Sequence, residues 1–330
     1  MPPAASVFRR PSPLDAPPYP QPRVGEPARI AFVGQGTFFD ACALHDRSAR
    51  ATPAFIEFRS GADAEAMRAE VDAHRPHVVV VFRPEILPHG VFADLRVAVL
   101  GFLTEPIPRT RRGAHPDLRR RRADLRGIDR ENVDRIVAFD PLIVPTADEF
   151  FPVWRSLPLP VADRFYAPAR RMQGAPHAFF VGRSTPHREH FLERPKAELD
   201  LLHVAFGVGA GDFEQLMREH DVAINIHNEP YPSFENRVCL HLAAGHLVLS
   251  ETLSPTHGLE PGIDYLEFER ADDLAFMLEN VRRFPNMHHR IRVRGRRKAE
   301  GYRASRVWPN VAEDLLRDLR VFGTHRSAAA

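Results

Sequence analysis

The side chains best suited to chemistry crowd one stretch, Asp221 to Glu251, which reads DVAINIHNEPYPSFENRVCLHLAAGHLVLSE. An apolar run, Val222 to Ile226, stops at a polar cluster, His227 to Ser233, that carries His227, Asn228 and Tyr231. Glu235, Asn236 and Arg237 come next, at the start of a helix-like segment. Helix N-termini present unpaired N–H groups and a positive dipole end, so Asn236 and Arg237 suit an anion. The plainer alternative is capping by Asn236 and a surface ion pair between Arg237 and Glu235. A second place is Thr104-Glu105-Pro106, after another apolar run. There a carboxylate could act as general base toward a hydroxyl or simply cap the next turn. A third is Gly34-Gln35-Gly36-Thr37, a strand-to-helix turn that lacks the third glycine of a dinucleotide fingerprint. It marks either a tight turn or a close backbone approach to a ligand. Seventeen histidines invite a metal reading, but His227, His241 and His246 do not have the spacing of a closed zinc site, and no metal is expected.

The elements needed to position these groups follow from hydrophobic pattern. Val222–Ile226, the polar loop, a helix over Phe234–Ala244, Gly245 and the run Leu247–Leu249 make strand, loop, helix, strand, the unit of a parallel α/β sheet. Ligands in such sheets bind beyond the carboxyl ends of the strands. Further strands are expected at Arg29–Val33, Val78–Phe82, Arg96–Leu103 and Arg135–Phe139, with helices at Phe38–Leu44, Asp63–His74 and Arg130–Asp134. After a break at Leu157-Pro158-Leu159-Pro160, a linker is placed at about 160–176. Strands follow at Ala178–Val181 and Leu202–Phe206, with helices at Arg188–Glu198, Asp212–Glu219, Asp272–Arg283, Met287–Tyr302 and Pro309–Leu319. Residues 1–27 hold nine prolines and few apolar groups, so they are expected to stay disordered.

The 330 residues suit two domains, and 44% apolar content is enough for two cores. A net charge of +2 argues against a nucleic-acid partner. Arginine outnumbers lysine 43 to 2, which weakens any argument from an isolated arginine. Residues 109–135 hold ten arginines against five acids without interleaved aromatics, and read as a solvated, partly helical excursion. Cys42 and Cys239 fall in apolar runs and read as buried thiols. No run is long enough to span a membrane and no apolar leader opens the chain, so a cytoplasmic protein is expected.

The pieces Asn225-Ile226-His227, Phe234-Glu235-Asn236-Arg237, Ala243-Ala244-Gly245, Ser250-Glu251 and Gly258-Leu259-Glu260-Pro261-Gly262 resemble the C-terminal half of the GT-B glycosyltransferases. The nearest likeness is the CgeB-like, spore-maturation type of the glycosyl transferase family 1 group. Tyr265–Phe268 and Tyr302-Arg303-Ala304-Ser305-Arg306 extend it, covering about 177–320 well and 28–165 loosely.

That resemblance implies a GT-B-like α/β fold, two Rossmann-like doubly wound domains facing across a cleft. Residues 28–165 would form the acceptor domain, with Gly34, Gly36 and Thr37 in an acceptor-side loop. Residues 166–330 would form the nucleotide-sugar donor domain with its terminal helices. Gly182 would let the chain approach a nucleoside diphosphate, and Arg188, with Arg183 and Arg237, would neutralise the departing diphosphate without a metal. The family has an arginine a few residues past this glycine, which favours Arg188. His227, Asn228 and Tyr231 would touch sugar or base. Many members carry a glutamate five residues before the glycine of the Ala-Gly element, where it holds the donor ribose. Here that position is Leu240. Glu235, Glu251 and Glu260 are open as substitutes. The expected activity is sugar transfer from a nucleotide-diphosphate sugar of unknown base to an unknown acceptor, retaining and cofactor-free, with Glu105 as a candidate base. A homodimer is left open as a partner, and no nucleic acid is expected. The alternative is a non-catalytic nucleotide- or sugar-binding protein.

Overall fold

A computed structural model describes residues 18–110, 115–205 and 210–326. Residues 1–17 of the proline-rich segment, 111–114 of the arginine-rich stretch and the end of the expected strand at Phe206 lie outside the described residues. The chain forms two compact units: residues up to Pro158 together with those from Ala304 onward, and Leu159–Arg303.

In the first unit, β1 (Ala28–Gly34), α1 (Gly36–Phe39), β2 (Ala51–Glu57), α2 (Ala64–His74), β3 (Val78–Phe82), β4 (Ala98–Leu103), α3 (Pro116–Asp124), β5 (Arg135–Ala138), α4 (Val144–Ala147) and β6 (Val153–Ser156) follow in order. The sheet is parallel throughout, in the order β2-β1-β3-β4-β5-β6. Val78-Val79-Val80-Val81-Phe82 is buried at every position, as an unbroken β-branched run at the centre of a parallel sheet should be. The strands that pattern did not reveal, β2 and β6, are the two edges. Both are only partly buried, and β2 carries Pro53, so neither shows an apolar run. The helix expected at Phe38–Leu44 is confined to α1 and a 3-10 turn, Asp40–Cys42. Arg130–Asn132 is likewise a 3-10 turn. α2 matches its expected span because Asp63 caps it, accepting from the N–H groups of Glu65 and Ala66.

The second unit contains β7 (Ala178–Val181), α5 (Pro186–Glu198), β8 (Leu202–Val204), α6 (Ala210–Glu219), β9 (Val222–Asn225), α7 (Arg237–Ala243), β10 (Leu247–Glu251), β11 (Leu266–Phe268), α8 (Ala271–Arg283) and α9 (His289–Lys298). Its parallel sheet runs β8-β7-β9-β10-β11. Both sheets place their second strand on one side of the first and their third strand on the other. With right-handed crossovers this winds helices onto both faces and opens a switch point beside the first strand. Phe180, Ile224, Ile226, Leu247, Leu249 and Phe268 lie in the second core. α7 ends at Gly245, whose φ is +77°, and a Cβ there would sit 2.9 Å from the Ala169 main chain.

Two terminal segments depart from the sequence reading. The final helix, α10 (Ala304–Phe322), was expected to belong with residues 166–330 but packs on the first sheet. The reason is Trp308: its ring meets Phe32, Phe82 and Phe102, and its Nε1 donates to the Cys42 carbonyl at 2.8 Å. Asp318 and Asp314 then pair with Arg135 and Arg155 at 2.7 and 2.9 Å. Tyr19, within the segment expected to be disordered, is buried. Its hydroxyl donates to Asp134 at 2.7 Å, and the Arg326 guanidinium lies 5.6 Å from its ring. Cys42 and Cys239 are buried thiols outside any disulfide, as their apolar surroundings implied.

Candidate functional site at the second switch point

The switch point of the second sheet lies between β7 and β9, and there the carboxyl ends of both strands meet the first turn of α5. Thr185 caps that helix: its Oγ1 accepts from the Arg188 N–H at 3.2 Å and donates to the Asn228 carbonyl at 2.9 Å. Pro186 supplies the first-turn φ. This geometry delivers Arg188 inward, where it is 3% exposed. Its Nε donates to the carbonyls of Ile226 and His227, both at 3.2 Å, its Nη1 to the Arg183 carbonyl at 3.1 Å, and its Nη2 to Glu235 Oε1 at 3.3 Å. One guanidinium thus ties the loop after β7 to the loop after β9. Burial, then the nearby Arg237, pulls its pKa down to about 10, so it stays charged at neutral pH.

Arg237 opens α7 and turns toward the same place. It donates to Glu235 Oε2, and it and Arg188 lie over the Phe180 ring at 5.2 Å each. Gly182 follows β7 at a tight place: a Cβ there would stand 3.0 Å from Phe180 Cζ, 3.1 Å from Arg188 Nη1 and 3.3 Å from Arg237 Nη1 and would press on both guanidinium groups. Burial pushes the Glu235 carboxyl up, but Arg237 and Arg188 outweigh it and hold the group below its ordinary value. Arg183 is the exposed member, held by its Nε on Asn228 Oδ1 at 3.0 Å. Gly182, Arg183, Arg188, Asn228, Glu235 and Arg237 are therefore brought together.

A second group adjoins it at the end of β10. Glu251 Oε2 accepts the His227 N–H at 2.6 Å, and Glu251 Oε1 lies 2.9 Å from His187 Nε2. The His227 ring is buried between Thr252 O, 2.9 Å from Nε2, and Ser233 Oγ, 3.0 Å from Nδ1. A carbonyl can only accept, so the proton sits on Nε2 and Ser233 donates to Nδ1. Sequence reasoning missed His187, Phe180 and Thr185. The Thr185-Pro186 pair is a helix-start signature that would have placed His187 and Arg188 on the first turn.

Other candidates lie apart from this cluster or take other parts. Tyr231 sits half-buried in the loop, its N–H on the Glu229 carbonyl. Asn236 is the N-cap residue of α7 and its side chain makes no cap bond, so the capping alternative is not realised. Leu240 is 6% exposed inside α7. Glu260 is exposed, with Lys298 Nζ at 3.7 Å, and is not among the partners of the arginine pair. In the first unit, Gly36 N–H donates to Glu57 Oε2 at 2.6 Å, and a Cβ on Gly34 would meet Phe82 at 3.1 Å. Thr37 is exposed beside them. Glu105 is held by Arg121 Nη2 at 3.2 Å. The arginine-rich stretch contains α3 and spends charge on carboxylates to either side of it, Arg122 on Glu149 and Arg109 on Asp140 among them. Among the described residues no group of three or more His, Cys, Asp or Glu is arranged to hold a metal ion. None of the described helices is long and apolar enough to cross a membrane.

No family model matches the sequence, and no curated protein matches it. Solved structures do. HepE of Anabaena in complex with UDP-glucose superposes with a TM-score of 0.57 at 11% identity, over 88% of this chain and 99% of that one. Sucrose-phosphate synthase of Thermosynechococcus elongatus gives the same values, 0.57, 11%, 88% and 99%. A glycosyltransferase of Rickettsia africae gives 0.53 at 11% identity, over 88% and 99%. At these identities the likeness is one of fold: the chain has the α/β, two-domain GT-B fold of these glycosyltransferases.

Proposed function

We propose that this protein is a glycosyltransferase that moves a sugar from a nucleoside-diphosphate sugar to an acceptor, with the donor held by the Leu159–Arg303 unit. One observation carries the reading: the guanidinium groups of Arg188 and Arg237 converge on Gly182 at the switch point of the second sheet, and Arg183 follows that glycine with its Nε on Asn228. Breaking a glycosidic bond to a nucleoside diphosphate builds negative charge on the leaving oxygen. Fixed guanidinium donors stabilise that charge and do in place what a divalent cation does elsewhere. The three arginines divide the work. Arg237 and Arg183 face the diphosphate, and Arg188, buried and bonded to three carbonyls, holds the two strand ends at the spacing the diphosphate needs. His227, Asn228 and Tyr231 line the loop that meets sugar or base. Retention of configuration and independence from metal or other cofactor belong to this proposal. So do an acceptor on the first unit near Glu105 and the Gly34–Thr37 turn, and an intracellular setting.

The HepE structures hold UDP or UDP-glucose, so UDP-glucose is the first donor to try, beside its GDP, ADP and TDP counterparts. Binding is read by thermal shift and turnover by release of the nucleoside diphosphate. We expect one donor to raise the melting temperature of the wild type and to be hydrolysed slowly. A ligand at 100 times its Kd adds about 2.7 kcal/mol to stability. Leu240, where the resembled family has a glutamate, favours a second reading, a nucleotide-binding protein without turnover. Binding without any release of diphosphate would select it, and no shift with any donor would sink both.

A further inference from the structure

Charge is spread unevenly along this chain. Arg282 to Lys298 holds seven arginines, one lysine and two histidines, and no acidic residue. Those eight cations exceed the chain's net charge of +2, so the other residues together carry −6. The stretch ends α8, turns, and forms α9. Arg290, Arg294 and Arg297 recur at i, i+4 and i+7 on the exposed face of that helix. The opposite face is pressed inward: Arg292 and Gly295 are buried, and a Cβ on Gly295 would strike Leu242 and the Asp264 carbonyl. Carboxylates meet part of the charge. Arg292 has Asp221 at 3.4 Å, Arg294 has Asp264 at 3.7 Å, Arg296 has Glu300 at 2.7 Å and Lys298 has Glu260 at 3.7 Å. Among the described residues, no carboxylate lies within ion-pair distance of Arg283, Arg290 or Arg297, nor of Arg170 and Arg171. The last two join the same surface because Asn286, in the turn between α8 and α9, holds the Met172 main chain by two hydrogen bonds, 2.9 and 3.2 Å. Burial, then the charges of Arg171 and Arg292, hold the His289 ring below its ordinary value.

The same turn carries two large apolar side chains that no core receives. Leu274, Leu278 and Val281 of α8 enter the second core. Phe284 is 50% exposed and Met287 63%. The Met287 N–H donates to the Phe284 carbonyl at 3.0 Å, so one turn presents both, and the Arg283 guanidinium lies 5.3 Å from the Phe284 ring. Exposed apolar groups set among unneutralised cations match the two layers of an anionic bilayer surface, headgroup charge outside and hydrocarbon beneath. We propose that this face docks on an anionic membrane, with Phe284 and Met287 entering the interface and the arginines over the headgroups. A nucleic acid would meet the cations but offers Met287 no apolar phase, and a single phenylalanine is not a stacking platform. The chain would lie on the bilayer rather than span it. Arg292 donates to the Gly245 carbonyl, just before β10, and pairs with Asp221, just before β9. The face therefore lies toward the amino ends of these strands, away from the carboxyl-end site, and membrane docking there does not require that the donor reading hold.

The full chain is floated with extruded vesicles of phosphatidylcholine, alone or with one third phosphatidylglycerol. Each cation near an anionic surface adds several-fold to affinity, so the anionic vesicles should bind at least about tenfold tighter at about 0.1 M salt. At about 1 M salt, where the screening length is about 3 Å, most of that preference should be lost. Arg290→Gln with Arg297→Gln should weaken anionic binding by roughly 10- to 30-fold. Phe284→Ser with Met287→Ser should weaken it by roughly tenfold. Both pairs change exposed side chains, so the melting temperature should stay at the wild-type value. Arg59→Gln with Arg320→Gln, exposed arginines of the first unit, lowers net charge equally and should bind as wild type. No vesicle binding, equal binding to the two vesicles, or wild-type binding by either of the first two pairs overturns the proposal. An equal loss in the Arg59 and Arg320 pair also overturns it, because net charge alone would then be at work. So does a single-stranded oligonucleotide held more tightly than the vesicles and indifferent to the Phe284 and Met287 changes, which would make the partner a nucleic acid. Vesicle binding by a protein that binds no nucleotide sinks the donor reading alone; nucleotide binding without vesicle binding sinks only the membrane.

Discussion

The first turn after β1 and the first turn after β7 occupy the same topological place in their two sheets, yet they are filled with opposite charge. After β1, the Gly36 N–H is already met by the chain's own carboxylate, Glu57 at the end of β2, and Gly34 is small because Phe82 and Phe39 press on it. After β7, Gly182 is small because two guanidinium groups and the Phe180 ring press on it, and Thr185 takes over the capping of the helix. Strand order creates a recess at both points. The side chains decide what each recess can take. The first has its anion built in; the second holds an excess of cation over Glu235, the charge that the diphosphate proposed for it requires.

The contrast breaks most visibly at Arg188. Arg188→Ala leaves three carbonyls and Glu235 short of a donor in a buried place. Removing one partner of a buried ion pair costs about 3–5 kcal/mol, so urea unfolding should show a loss of that order and nucleotide binding should vanish with it. A variant of wild-type stability would show that the strand ends do not depend on this group.

Acid should weaken the second sheet by a different route. His246 is buried, with Nε2 on the Met217 carbonyl, and burial pulls it down to about 4; His241 beside it, 3.3 Å away, is pulled well below its ordinary value by burial and by His246. Below pH 6.5 the unfolded chain takes up protons that the folded chain refuses, so stability falls with pH down to about 4. For His246 alone this amounts to about 3 kcal/mol at the lower end, at 1.36 kcal/mol for each tenfold change in proton binding. Chemical denaturation between pH 4 and 7 should follow that slope, and His246→Phe should flatten it. A pH-independent midpoint would show that these rings accept protons while folded.

Arg237→Ala and Glu57→Gln sharpen the comparison directly. The first removes a diphosphate donor and should weaken UDP-glucose by roughly 2 kcal/mol, about 30-fold, with a folded protein. Calorimetry checks it, and unchanged affinity would remove Arg237 from the site. The second removes the built-in anion of the first sheet and should cost only about 1 kcal/mol of stability with nucleotide affinity untouched. If Glu57→Gln alters nucleotide affinity instead, the two recesses are not as separate in function as their charges imply.

Much of this arrangement can be read along the chain. The run Val78–Phe82 could only be an interior strand, and Asp63 announced the start of α2. The polar loop after Val222–Ile226 pointed to the strand end where the candidate site lies, and Arg183, Arg188 and Arg237 were legible as its candidate cations beside Gly182. The edge strands β2 and β6 were not legible, because a half-buried strand needs no apolar run. Neither was α10, whose amphipathic pattern says that it packs but not on which sheet. Only Trp308 among Phe32, Phe82 and Phe102 answers that.

The sequence by itself determined the parallel α/β class, the central strands, the start of α2 and the crowding of charge after β7 and β9. These depend on burial periodicity and local backbone preference, which act over a few residues. Tertiary structure alone decided that Arg188 is a buried tie between strand ends, that Glu235 is neutralised, that Glu57 fills the first recess, and that Glu251 meets His187 and the His227 main chain. Those roles depend on which groups from distant segments share a place and how far water is excluded there, and no spacing along the chain encodes either.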